Sequence, residues 1–364
     1  MRHVVTLRPM RLADSEFGIG PMRQSSRPTL KAIAKQLGVS VTTVSRALNG
    51  KAEEYGISKR MEEAVCKAAK KLHFSPDPLA RGLRLNRTLS IGLIIPDISN
   101  PYFAQIAKNV EMAARGGGYS VILCDSEENT QLEAESLTLL RDRKVDGLVI
   151  APVGQSARHL EALQEGGLPV VVIDRYFPRL RLPYVISDNY KGTMEATSHF
   201  IQNGHRVIAC VQGLAETSPN RERVRGYRAG LRSHGIAVDD ALVVGSSFGE
   251  ENGYVHTKLL LKKRKDITAI LALSNLIALG ILRALSEEGL RVPNDVSLIC
   301  FDDQPYCAYL NPPLTTIDQS NEQMGQIAVR LLLEQIQSTH GPTREGIVLP
   351  TRLVKRASVR RIGK

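Results

Sequence analysis

The chain contains no run of eighteen consecutive apolar residues, so it offers no helix able to span a bilayer. Its first twenty-eight residues hold no long apolar stretch of the kind that directs export, which leads to the expectation of a cytoplasmic protein. The five cysteines (Cys66, Cys124, Cys210, Cys300 and Cys307) form no CxxC pair and fall mostly within apolar strand or helix patterns. They read as buried free thiols, not metal ligands. There is no P-loop, no GxGxxG behind a strand, no GxSxG and no HExxH. Gly116-Gly117-Gly118 closes a helical pattern instead of opening one, so it is a helix end and not a phosphate cradle. His199 and His205 flank a helix end without a matching nucleophile. An enzyme that handles sugars or nucleobases therefore finds little support, and no cofactor or metal is implied. A transport-type solute-binding protein would need an export signal and would not need a basic head.

What is present is an uneven charge. Residues 1–88 hold 17 of the 48 basic and 7 of the 37 acidic side chains, a net +10, whereas the remainder is near neutral at +1. A polyanionic partner for the first segment follows, against the plainer alternative of a solvated basic face. Within that segment lies TLKAIAKQLGVSVTTVSRALN, Thr29 to Asn49. Ile33, Ala34 and Leu37 share one face of a short helix; Val44, Ala47 and Leu48 share one face of a second. Gly38 stands where the turn between them needs a positive φ, and Ser40 can cap the second helix. This is the pattern of a helix-turn-helix, whose second helix enters a major groove. A helical hairpin with no DNA role is the alternative. A third helix, Ile57–Phe74, capped by Ser58, offers Val65, Ala68, Ala69 and Leu72 to close a bundle.

Before the bundle, residues 1–27 show no sustained period and read as a disordered basic extension; Met22 is a second possible start of translation. After it, Ser75-Pro76-Asp77-Pro78 breaks the chain and Leu79–Leu85 makes about two turns of helix, too short to hold alone in water. From Ser90 onward strands and helices alternate, first through PVVVID and then again from Asn189 to VSLICFDD. That alternation predicts two similar parallel, doubly wound lobes with a ligand cleft between their strand ends. NPPLTTID reads as a loop, Asn321–Gln337 as a helix, and IVLPTRLVKRASV as one edge strand with a basic tail.

The motifs TLKAIAKQLGVSVTTVSRALNG, LARGLR, IGLIIPDISNPYF, RVRGY, DVSLICFDD and PPLTTI, in this order over residues 29–359, resemble those of the lactose/galactose-repressor (LacI/GalR) family of bacterial transcription regulators. The resemblance implies an all-α helix-turn-helix head and an α/β core of two periplasmic-binding-protein-type lobes. The expected division is an extension at 1–27, a head at 28–75, a hinge and linker at 76–88, and a core at 89–364. Within the core, the first lobe takes about 89–188 and 317–342, and the second about 189–316 and 343–364. The function implied is repression of transcription at a pseudo-palindromic double-stranded operator, gated by a small molecule.

On the head, the resemblance directs Val41 and Thr42 at base edges and Arg46 at a guanine. Thr43, Ser45 and Asn49 are assigned to the phosphates and Thr29 and Ser40 to the DNA contact more generally, although Thr42 and Thr43 are also compatible with plain solvent exposure. Leu83 becomes a minor-groove wedge in a hinge helix, with Ala80 and Arg84 beside it on the DNA, or else an ordinary linker residue. In the core, the resemblance assigns effector binding to Tyr102, Phe103, Asp174, Arg223, Phe248, Ser274, Asn275 and Asp302. A structural ion pair is the alternative for the two aspartates. Carboxylates, a guanidinium and an aromatic plate suit a sugar or sugar derivative, with a nucleobase corepressor as the second choice. Ser274-Asn275 stands where many members carry Asn-Asp, which removes one carboxylate. The C-terminus has no heptad pattern, so a homodimer is expected.

Overall fold

The computed structural model describes residues 29–72, 74, 87–154, 158–178, 180–338 and 346–363. The expected extension 1–27 and the hinge residues Ala80, Leu83 and Arg84 lie outside them. The chain divides into two compact units, residues 1–81 and 82–364.

The first unit is a three-helix bundle: α1 (Leu30–Leu37), α2 (Val41–Leu48) and α3 (Lys59–Lys71). Ile33, Val44 and Val65 are fully buried at its centre, with Ala34, Ala47, Ala68 and Ala69 allowing close helix approach. Leu37, Leu48 and Leu72 only partly close the rim. Gly38 ends α1 at φ +65°, and the Val39 amide returns to the Ala34 carbonyl at 3.1 Å. The hydroxyls of Ser40 and Ser58 cap α2 and α3, each worth about 1 kcal/mol. α3 is shorter at both ends than the sequence pattern suggested, beginning after Ser58 and stopping before Leu72.

The second unit contains two six-stranded sheets. The first lobe runs β1 (Ser90–Ile95), α4 (Pro101–Gly116), β2 (Ser120–Asp125), α5 (Thr130–Asp142), β3 (Gly147–Ile150), α6 (Arg158–Glu165), β4 (Val170–Ile173) and β5 (Tyr184–Ser187). The second runs α7 (Asn189–Gln202), β6 (Ile208–Val211), α8 (Ser218–Ser233), β7 (Val243–Val244), α9 (Glu250–Lys263), β8 (Ala269–Ala272), α10 (Asn275–Glu287), β9 (Ser297–Phe301) and β10 (Thr315–Gln319). The chain ends with α11 (Asn321–Gln337), β11 (Gly346–Leu349) and β12 (Thr351–Val354). The sheet orders are β11-β5-β4-β3-β1-β2 and β12-β10-β9-β8-β6-β7. Each strand therefore has a counterpart at the same place in the other lobe. All pairings are parallel except β10 with β12. β3, β4, β6, β8 and β9 are buried along their whole length, as strands covered on both faces must be. No helix among the described residues is long and apolar enough to cross a membrane.

Three sequence expectations are corrected. TTID is not loop but the body of β10, held between β9 and β12. IVLPTRLV is not one edge strand but two: β11 joins the first sheet and β12 the second. Pro350 separates them because it has no N–H to continue either ladder. The expected lobe boundaries shift accordingly. β10 stays in the second sheet, so the chain recrosses at Ser320 and not at residue 317, and β11 returns residues 346–349 to the first sheet. β5 has no forerunner in the sequence pattern, since its four residues lie in no recognisable period.

The three crossings lie side by side. The Asp188 amide donates to Leu349 O at 2.8 Å, Thr351 Oγ1 to Asp188 O at 3.3 Å, and Ser320 Oγ to Pro350 O at 3.3 Å. This strap joins the lobes at one end of the cleft.

Candidate nucleic-acid interface and ligand cleft

On the head, the start of α2 presents Val41, 39% exposed, and Thr42, also exposed. Arg46 follows one turn later, with its guanidinium 3.8 Å above the Tyr55 ring. Tyr55 comes from the loop before α3 and was not singled out in the sequence. It gives a long, flexible cation a fixed platform. Several of the side chains expected to contact DNA are already engaged within the head. Thr29 Oγ1 accepts from the Ala32 amide at 3.3 Å. Ser40 Oγ accepts from the Thr43 amide at 3.0 Å and lies 2.8 Å from Thr43 Oγ1. Asn49 Nδ2 donates to the Ser45 carbonyl. These four side chains order the start of α1 and both ends of α2 as well as facing outward.

In the core, Asp174 follows the end of β4 and Asp302 the end of β9, at equivalent places in the two sheets. Both take left-handed backbone, φ +59° and +72°, which costs a residue with a Cβ energy that only tight surroundings hold in place. The turn points each carboxylate into the cleft. Tyr102, on the first turn of α4, donates to Asp174 Oδ1 at 2.7 Å. Burial, then the Asp174 and Asp302 carboxylates, push the Tyr102 hydroxyl well above its ordinary pKa. Asp302 Oδ1 accepts from Gln319 Nε2, and its Oδ2 from the Asn275 amide at 3.2 Å. Burial raises the Asp302 pKa, with Arg223, Gln319 and Asn275 acting in the opposite direction.

Arg223 reaches in from α8, donating to Asn189 Oδ1 at 2.7 Å and to Leu273 O at 2.6 Å, with its guanidinium 3.8 Å above the Phe301 ring. It forms no ion pair with Asp302 among the described residues. Asp174, by contrast, lies 3.6 Å from Arg175 Nε. Arg175 is the principal residue the sequence reading missed. Its guanidinium is clasped by both oxygens of Glu128. Despite the cost of burial, Glu128 and then Asp174 hold its pKa above the usual arginine value. It lies 6.0 Å from the Phe103 ring and 5.6 Å from Phe248, so one cation stands between two aromatic faces. The Ser274 hydroxyl accepts from the Ile277 amide at 3.2 Å and donates to Phe248 O at 3.1 Å, so it caps α10 and anchors the Phe248 backbone.

Polar contacts bridge the two lobes here: Asn275 Nδ2 to Asn100 Oδ1 at 3.1 Å, Gln105 Nε2 to Gln304 Oε1 at 3.0 Å, and the Tyr176 amide to Ser218 Oγ at 3.0 Å. Asn100, Gln304 and Gln319 gave no signal in the sequence; only the pairing of distant strands makes them neighbours. Among the described residues, the buried atoms Asn275 Oδ1, Gln304 Nε2, Tyr306 Oη and Arg175 Nε in this region have no hydrogen-bond partner. Arg175 Nε keeps its longer contact with Asp174, so the hydrogen-bonding capacity of this region is incompletely used.

Two family descriptions match the chain: bacterial regulatory proteins, lacI family, over residues 29–77, and a periplasmic binding protein-like domain over residues 197–359. A relative from Edwardsiella ictaluri, the HTH-type transcriptional repressor PurR, is 34% identical over 333 residues, covering 91% of this chain and 96% of its own. Among solved structures, the Lac repressor dimer bound to operator and the anti-inducer ONPF is 26% identical with a TM-score of 0.80, covering 92% of this chain and 99% of that one. A LacI family transcriptional regulator from Enterococcus faecium with bound ribose is 31% identical with a TM-score of 0.67, covering 75% of this chain and 100% of that one.

Proposed function

We propose a division of labour within this chain, which belongs to the lacI family of bacterial regulatory proteins and is a DNA-binding transcriptional repressor, not an enzyme. The head reads an operator through Val41, Thr42 and Arg46, and the core cleft binds a sugar or sugar derivative that modulates this grip. The observation that carries the cleft assignment is a set of four charged side chains converging between the lobes: Asp174, Arg175, Arg223 and Asp302, each 3–5% exposed. Buried charge is costly unless partners or a ligand complete its hydrogen bonds. Carboxylates and guanidiniums take the donor and acceptor sides of sugar hydroxyls, while Phe103 and Phe248 offer apolar planes to the ring's C–H faces. The relative with bound ribose supports this choice of ligand.

A nucleobase acting as corepressor is the second reading. The placement of Arg175 between two aromatic faces favours it, and so does the likeness to PurR. Two copies of the chain on a pseudo-palindromic site agree with the dimeric, operator-bound relative.

Thermal-shift measurements on the full chain against pentoses, hexoses, sugar acids and purines test the cleft. A ligand at a hundred times its Kd stabilises by ~2.7 kcal/mol, an easily read shift. Saturable stabilisation by a sugar, lost in Asp302→Ala, is the expected result. Stabilisation by purines alone transfers the cleft to the second reading. Attachment to duplex DNA that ignores salt sinks the assignment of the head.

A further inference from the structure

The α8 helix that carries Arg223 into the cleft bears four more arginines on another face. Arg221, Arg225, Arg228 and Arg232 stand at i, i+4, i+7 and i+11, a row about 16 Å long at 1.5 Å per residue. They line a groove of about 580 Å³ between α8 and the edge strand β7, together with Asn220 and Asp240.

The carboxylates within reach do not balance this row. Arg225 pairs with Glu222, and Arg228 with Asp240 at 2.8 Å. Arg221 has only the Glu216 carbonyl, at 3.0 Å, and Arg232 forms no ion pair among the described residues. Arg228 Nε is buried with no acceptor among the described residues. Like charges one turn apart on a helix repel, so the row is a cost to the folded chain that an anion would relieve.

We propose that this groove binds a small ligand carrying two or more closely spaced phosphoryl groups. Planar guanidiniums grip phosphate oxygens in pairs, and a multiply charged tetrahedral group neutralises more than one of them at once. The groove volume falls within the roughly 300–1,000 Å³ usual for small-molecule sites. An extended nucleic-acid backbone fits less well, because Asp240 and Glu222 sit among the arginines and would repel a continuous line of phosphates. The site is separate from the cleft but not independent of it. Asn220 lines the groove and accepts from the Gly213 amide at 2.8 Å, and one turn further on Arg223 enters the cleft.

Hydrogen–deuterium exchange of the full chain, with and without sodium tripolyphosphate at 150 mM salt, locates the binding. The expected result is saturable protection of peptides covering residues 218–233 and 240–244. Apparent affinity there should fall at least tenfold in Arg221→Glu/Arg232→Glu and less in Arg221→Gln/Arg232→Gln. It should be unchanged in Arg291→Glu/Arg352→Glu, which alters the same number of exposed charges elsewhere on the core. Adenosine triphosphate and a hexose bisphosphate run in parallel; whichever protects at the lower concentration identifies what carries the phosphates. Protection confined to residues 29–72, or equal protection in the two charge-reversed proteins, overturns the proposal.

Discussion

Asn100 and Asn275 hold the two lobes together across the cleft, Oδ1 to Nδ2 at 3.1 Å. Each is also committed within its own lobe. Asn100 caps α4 by accepting from the Tyr102 amide at 3.1 Å, and the Asn275 amide donates to Asp302. The bridge therefore connects the residues at the starts of α4 and α10. Asn275→Asp would replace the side-chain amide that donates to Asn100 with an acceptor and set another carboxylate beside Asp302. The expected loss is ~1–3 kcal/mol of core stability, with a larger radius of gyration in small-angle scattering as the lobes part. An unchanged radius and melting temperature would show that the bridge does not hold the cleft.

Arg46 and Tyr55 separate reading a base from presenting the reader. Arg46→Ala is expected to relax preference at one half-site position by ~1–3 kcal/mol. Tyr55→Ala leaves the guanidinium but removes its platform, and should cost only ~0.5–1 kcal/mol. Binding to a panel of singly substituted operators distinguishes the two. Equal losses on every sequence from Arg46→Ala would assign that residue to the phosphates.

His205 gives the core a pH dependence of known sign. The imidazole is fully buried, 3.0 Å from Thr268 Oγ1 and 3.1 Å from Arg360 O. Burial lowers its pKa, with the Arg360 carbonyl opposing. The unfolded chain takes up its proton near the ordinary value of about 6.5, whereas the folded chain resists until lower pH. Stability is thus complete above about 6.5 and declines as pH falls toward the depressed folded value. His199, lowered by burial and by Lys355, adds in the same direction. Melting temperatures between pH 5 and 8 should fall on the acid side, and His205→Gln should flatten that slope. An equally steep slope in the variant would remove His205 as its source.

Gly38 and Gly280 are both expected to resist substitution, for different reasons. A Cβ on Gly38 meets nothing within 4 Å, so Gly38→Ala carries only the strain of φ +65°, about 1–2 kcal/mol. A Cβ on Gly280 would lie 1.9 Å from Glu250 O and 2.6 Å from the Tyr254 amide. Those atoms are backbone and cannot turn aside, so Gly280→Ala must push α9 and α10 apart. Chemical denaturation should show the larger loss at Gly280 even though alanine favours helix there. The reverse order would contradict the packing account.

Much of the molecule is legible from local pattern. The caps at Ser40 and Ser58, the left-handed turn at Gly38 and the apolar faces of all three head helices depend on residues within one or two turns. The α/β alternation is equally local, because a strand covered on both faces must be apolar throughout. The cleft residues Tyr102, Asp174 and Asp302 were found by resemblance, and the structure brings them together. Sequence alone thus settled the fold class, the charge division and the order of helices and strands along most of the chain. Tertiary structure decided which sheet each of the last strands enters, why IVLPTRLV breaks at Pro350, and that Arg175 stands between Glu128, Asp174 and two aromatic rings. Those outcomes rest on pairings between residues tens to hundreds of positions apart, where short strands carry no period and a buried charge is recognised only by the partners that surround it.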